Sequence, residues 1–198
     1  MTFIIAICLY SFSMSITPGP TNIIMMSAGV NHGFLKTIPF AAGSALGFGA
    51  LVVATGAGLG SIVANNQLFM TVLGVLGSAF IIYMGYKIAV SSAEVKPSEY
   101  KSPSFLYGVV FQWINPKSWI ACLAGIGAFN LVGADEKLFI YTFFYASIGF
   151  TCVLVWGYAG SKISRLLNSK RNLRIFNMTM GGGLILVAVY LFYLQMVS

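Results

Sequence analysis

Charge is scarce in this sequence, and acidic charge most of all. Of 198 residues, 11 are Lys or Arg, 4 are Asp or Glu and one is His. Soluble domains carry about 25% charged and about 45–50% apolar residues; here the figures are 8% and 58%. A globule of this size has too little interior for so much apolar surface. A soluble catalytic domain, a nucleotide-binding domain and a DNA-reading module are therefore excluded. Cysteine is also sparse. Cys8, Cys122 and Cys152 each lie within an apolar run, with no C-x-x-C spacing, so neither a disulfide framework nor a zinc site is expected. The N-terminus, Met1 to Tyr10, has no basic segment and no small-residue cleavage site, and is expected to be a first membrane span rather than a signal peptide.

What the sequence does have is long apolar runs. A helix needs about 20 apolar residues to cross a bilayer, and the chain divides into six such runs, at roughly 3–30, 38–60, 68–89, 105–130, 138–160 and 174–196. The expected fold is an all-α membrane protein of six transmembrane helices, a single transmembrane domain over 1–198. The net charge of +7 does not indicate nucleic acid, because the bases lie between apolar runs. Loops one, three and five hold Lys36, Lys87, Lys96, Lys101, Lys162, Arg165, Lys170, Arg171 and Arg174, whereas the opposite side holds Lys137, beside Asp135 and Glu136. Basic loops stay cytoplasmic, so both termini are expected outside. Segment 161–174, with Ile163, Leu166 and Leu167 between bases, reads equally as a helix on the anionic inner leaflet or as a solvated loop.

Two runs are interrupted near their middles, the first by Thr17-Pro18-Gly19-Pro20 and the fourth by Asn115-Pro116-Lys117. Proline removes an N–H and clashes with the carbonyl four residues earlier, so each helix should break there. Pro116 follows Pro18 by 98 residues, within one residue of half the chain. Three spans per half is an odd number, so the second half enters the membrane in the opposite sense. That pattern describes two inverted three-helix repeats, about 1–98 and 99–198, whose broken helices 1 and 4 meet at a midplane site.

The candidate substrate-binding residues are Pro18, Gly19, Pro20, Asn22, Gln112, Asn115, Pro116 and Lys117. A half-helix starting near Thr21 or Asn22 turns its N–H groups toward a carboxylate, and Gly19 lets backbone approach a ligand. Asn22 either bonds the substrate or satisfies the freed carbonyls. Lys117 lies about 18 Å along its span. It is either a counter-charge for a substrate carboxylate or a structural lysine bonded to the free carbonyls around Thr17 or Ile114. Gln112 and Asn115 line the same break, Asn115 also being placed to cap the second half-helix. His32, in Asn31-His32-Gly33, reads as a helix-end residue or a proton-sensing gate. Gly43 with Gly47, and Gly56 with Gly60, make small-residue faces for close packing, within one chain or between two copies of a homo-oligomer.

These motifs resemble those of a known family, the six-span exporters of the lysine exporter and homoserine/threonine-resistance superfamily. The resemblance rests on Ile16-Thr17-Pro18-Gly19-Pro20-Thr21-Asn22, Asn31-His32-Gly33-Phe34, Ala42-Gly43-Ser44-Ala45-Leu46-Gly47-Phe48 and Asn115-Pro116-Lys117. It spans the whole chain and is greatest to the cysteine/O-acetylserine exporter branch. It implies export of small amino acids across the bacterial inner membrane, driven by protons, with no cofactor, no catalytic activity and the lipid bilayer as surroundings. Exporters of basic amino acids in that superfamily carry an aspartate where this chain has Phe48. No carboxylate lies inside any expected span, which favours a neutral or zwitterionic solute such as cysteine, O-acetylserine, homoserine or threonine. The alternative is an intramembrane thiol-disulfide carrier using Cys8 and Cys122. Those thiols stand ten residues before Pro18 and six after Pro116, too far for the breaks to expose them.

Overall fold

The computed structural model describes residues 1–59, 67–90, 102–164, 167 and 169–197, which form eight α-helices and no strand. They are α1 (Thr2–Ile16), α2 (Pro20–His32), α3 (Ile38–Ala54), α4 (Gln67–Ala89), α5 (Phe105–Ile114), α6 (Pro116–Ala128), α7 (Asp135–Ile163) and α8 (Lys170–Val197). The expected connections at 61–66 and 91–101, with Lys96, Pro97 and Lys101, lie outside the described residues, as do Gly60, Arg165 and Leu166.

Proline sets both interruptions by local sterics. Thr17 precedes Pro18 and is held extended at φ −62°, ψ 139°. Gly19 is extended as well, and Pro20 occupies the first turn of α2, where its missing N–H costs nothing. The axes of α1 and α2 differ by 60°. Asn115, before Pro116, is likewise extended at φ −89°, ψ 112°, and separates α5 from α6.

Among the described residues, three stretches are long and apolar enough to cross a bilayer, Phe34–Leu59, Asp135–Ile163 and Lys170–Tyr190, and α1 with α2 makes a fourth if the bent pair counts as one. Val75–Ala89 and Phe105–Ile114 are shorter apolar helices. α7 outruns its expected span of 138–160 because Asp135 and Glu136 sit in its first turn and Lys162 in its last, each favourable to the helix dipole. Segment 161–174 is described at 161–164, 167 and 169–174. Its described ends continue α7 and open α8, which starts at Lys170.

Glycines draw the helices together. A Cβ on Gly43 of α3 would strike the Phe105 carbonyl of α5, and one on Gly47 would lie 2.6 Å from the Val109 carbonyl. The same closeness joins Gly160 of α7 to the Met26 carbonyl of α2, and Gly85 of α4 to Gly181 of α8. The interior has two apolar clusters. One gathers Ile7, Phe48, Leu51, Trp119, Tyr141 and Tyr145, the other Ile24, Met25, Phe40, Ile81, Phe111 and Leu184. Outside, large apolar side chains such as Phe139, at 73% exposure, and Leu186, at 71%, face outward. In water each would forgo about 1.5–3 kcal/mol of burial; toward lipid that loss disappears.

Candidate functional site

Ending α1 at Ile16 frees the carbonyls of its last turn, and within a membrane each needs a donor. Thr17 Oγ1 donates back to Met14 O at 3.1 Å. The Asn22 amide donates to Ser15 O and Thr17 O, both at 2.8 Å. From α7, Trp156 Nε1 reaches Ile16 O at 3.2 Å. From α6, Lys117 Nζ donates to Thr17 O and Thr17 Oγ1 at 3.0 Å and to Pro18 O at 3.4 Å. Gly19 O accepts from Ile23 N at 2.9 Å. Every carbonyl from Met14 to Gly19 thus has a donor.

The second break closes on its own residues. Asn115 Oδ1 accepts the Lys117 N–H at 3.1 Å, and Asn115 O accepts Ser118 N at 2.9 Å. Ser118 Oγ donates to Gln112 Oε1 at 2.7 Å, and Trp119 Nε1 to Trp113 O at 2.7 Å. Lys117 then ties this break to the first, its stem crossing Gly19 so closely that a Cβ there would lie 2.8 Å from Nζ. Two longer contacts reinforce the tie: Gln112 Nε2 and Asn115 Nδ2 both donate to Thr21 Oγ1 at 3.4 Å.

Between the breaks lies a cavity of about 70 Å³. Gly19, Asn22, Gln112, Asn115 and Lys117 line it; Pro18, Pro20 and Pro116 shape the backbone without entering the wall. Thr21, Ser44, Ser118, Phe48 and Tyr145 also line it, and sequence reasoning had assigned none of them to a site. Phe48 and Tyr145 are stacked, ring centroids 4.2 Å apart. Thr21 adjoins a motif residue, but nothing in the sequence marks Tyr145, which arrives from α7. Among the described residues, Lys117 is the one charged residue in the wall, and no carboxylate faces it there. The backbone N–H groups of Thr21 and Asn22, first in α2 after Pro20, carry no hydrogen bond among the described residues. The wall therefore suits a small polar solute with an anionic end, held by neutral donors and acceptors.

His32 closes α2 and lines a second cavity, of about 430 Å³, with Ser27, Asn31, Lys87 and Tyr107. Gly33 follows at φ +81°, a conformation that L side chains rarely adopt. Asn31 Nδ2 donates to Asn177 Oδ1 of α8 at 3.2 Å. Among the described residues, no three His, Cys, Asp or Glu side chains gather as metal ligands.

Comparison with known proteins adds an independent line. The model of the LysE type translocator family matches residues 12–195. A cysteine/O-acetylserine efflux protein of Klebsiella pneumoniae subsp. pneumoniae is 28% identical over 167 residues, covering 83% of this chain and 85% of the relative. The protein of the same description in Escherichia coli O139:H28 is 28% identical over 195 residues, covering 97% and 98%. Its counterpart in Escherichia coli K12 is 27% identical over the same shares. No solved structure matches.

Proposed function

The chain belongs to the LysE type translocator family, and from that premise we propose that it exports small neutral amino acids or their derivatives across the bacterial inner membrane. Cysteine, O-acetylserine, homoserine and threonine are the substrate types, and the proton gradient is the driving force. The cavity between the two breaks carries the reading: it has one cation, several neutral hydrogen-bonding groups and no carboxylate. A zwitterion fits there, its carboxylate near the open N–H groups of α2 and the Lys117 charge. A lysine or arginine side chain would find no partner. The full-length likeness to cysteine/O-acetylserine efflux proteins supports export as the direction.

The architecture proposed with it is six crossings in two inverted repeats, with both termini on the periplasmic side. Helix packing supports the repeat. Exchanging the halves carries α1 into α5, α2 into α6, α3 into α7 and α4 into α8. The contacts of α4 with α8 and of α3 with α7 then map onto themselves, and α3 on α5 maps onto α7 on α1. The proposed site joins Pro18, Gly19, Pro20, Asn22, Gln112, Asn115, Pro116 and Lys117. Most of the hydrogen bonds of Asn22 and Lys117 go to the ends of α1, so these two residues shape the site as well as face it.

The test is growth protection. Cells expressing the wild type are challenged with inhibitory cysteine, O-acetylserine, homoserine, threonine or lysine, and extracellular amino acids are assayed. Protection against neutral solutes that accumulate outside, and none against lysine, is the expected result. Protection against lysine alone would overturn the substrate class, and no protection from a protein present in the membrane would overturn export of these solutes.

A further inference from the structure

Most polar side chains around the central cavity are engaged with the broken helix ends, and one is not. Ser44 is 4% exposed, lines the cavity, and its Oγ has no hydrogen-bond partner among the described residues. Helical Ser and Thr elsewhere in this chain donate to the carbonyl four residues back, as Thr55, Thr142, Ser147 and Thr151 do. Ser44 does not take that escape. Ser11 and Ser78 are also buried without partners among the described residues, but they line neither cavity. A buried hydroxyl left unpaired is unfavourable, and at a cavity wall the natural way to satisfy it is a ligand.

The position of Ser44 is tightly set. Its neighbour Gly43 lies against the Phe105 carbonyl, and a Cβ on Gly108 of α5 would come within 2.8 Å of the Ser44 amide nitrogen. The α3 backbone is therefore held in place, and rotation about the Ser44 side-chain bond is what brings the hydroxyl to a partner in the cavity. One helical turn on, Phe48 shares the same face of α3 and is braced by its stack on Tyr145 at 19° between ring planes. Ser44 and a fixed ring thus line the same cavity as the groups that suit a carboxylate.

We infer that Ser44 is the specificity-determining residue of the exporter: it hydrogen-bonds the polar atom of the substrate's short, uncharged side chain, and the Phe48 ring limits that side chain's length. This rests on the export reading and deepens it. The chemical class is a small zwitterion whose side chain carries a hydroxyl, thiol or ester oxygen. An apolar isostere would leave the Ser44 hydroxyl unpaired.

The experiment compares export of homoserine and of norvaline, in which a methyl group replaces the hydroxyl, by the wild type and Ser44→Ala. The wild type should prefer homoserine, and Ser44→Ala should narrow that preference about tenfold, the worth of one hydrogen bond. A second measurement uses Ser44→Cys in a chain whose native cysteines are serine: homoserine should slow alkylation of the new thiol, and norvaline should do so less. A preference unchanged in Ser44→Ala, or an alkylation rate indifferent to homoserine, overturns the assignment while export itself stands. A wild type that exports neither homoserine nor any other neutral solute overturns the export reading, and this inference with it.

Discussion

The two broken helices restart in the same way, on Pro20 and on Pro116 after an extended residue, yet their loose ends are satisfied from different places. At the second break, Asn115, Ser118 and Trp119 serve groups within the same short stretch. At the first, two of the donors come from the other half of the chain: Lys117, 100 residues from Thr17, and Trp156, 140 from Ile16. The second break is a local capping structure; the first is completed only when both halves are in place. Further packing sharpens the difference. α2 packs closely on α7, Gly29 against Gly157 and Met26 against Gly160, whereas α6 touches α3 only lightly, and Gly77 of α4 abuts the second break at Ile114 and Pro116. The proposed inverted repeat is thus compatible with unequal halves. The inequality sits at the cavity, where a single cation serves the first break.

The largest expected effect is that of Lys117→Met. It removes the donors to Thr17 and Pro18 at once, bonds to a charged group worth about 1.5–3 kcal/mol each at most. Export should fall about 100-fold or more in an efflux assay, with the protein still found in the membrane fraction. Retained export would deny that the two breaks act as a unit. Next is the pair Asn22→Ala and Asn115→Ala. The first leaves the Ser15 carbonyl without a donor and should lower stability by about 1–3 kcal/mol; the second removes a helix cap, about 1 kcal/mol. Thermal unfolding in detergent should rank them in that order, and the reverse order would break the asymmetry.

Replacing the indole donors is a finer probe. Trp119→Phe and Trp156→Phe each remove one hydrogen bond to a break carbonyl, worth about 0.5–1.5 kcal/mol. The 2.7 Å bond of the buried Trp119 should cost more than the 3.2 Å bond of Trp156. Trp156→Phe, acting on the break that depends on the other half, should lower export by a larger factor than its stability loss accounts for. The smallest effect belongs to Cys8→Ser with Cys122→Ser. Both thiols are free, Cys122 is buried, and neither lines the central cavity. Export should be unchanged within about twofold; its loss would favour the thiol-disulfide reading.

Much of this could be read before folding. The positions of both interruptions follow from Pro18 and Pro116, and the close helix faces from Gly43 and Gly47. Lys117 was legible as the charge in the fourth run, though with two roles open, and the structure engages it with the Thr17 carbonyl. Other features left no mark on the sequence. Trp113, Trp119 and Trp156 sit at no regular depth, and nothing in their spacing told that two of them cap helix ends. Ser44 stands in a small-residue face where packing was the natural reading; its unpaired hydroxyl becomes visible only once the α3 backbone is seen pressed against α5.

Properties that a residue imposes on its own neighbourhood were settled by the sequence alone. Apolar bulk makes the chain helical and lipid-facing, and the proline ring ends a helix whatever surrounds it. Properties that require a partner were settled by the tertiary structure. A freed carbonyl needs a donor, and the donor's place in the chain is unconstrained so long as it arrives within about 3 Å. That is why the breaks could be read from their prolines, while the groups that complete them, and the hydroxyl they leave unpaired, emerged only from the packing of one half on the other.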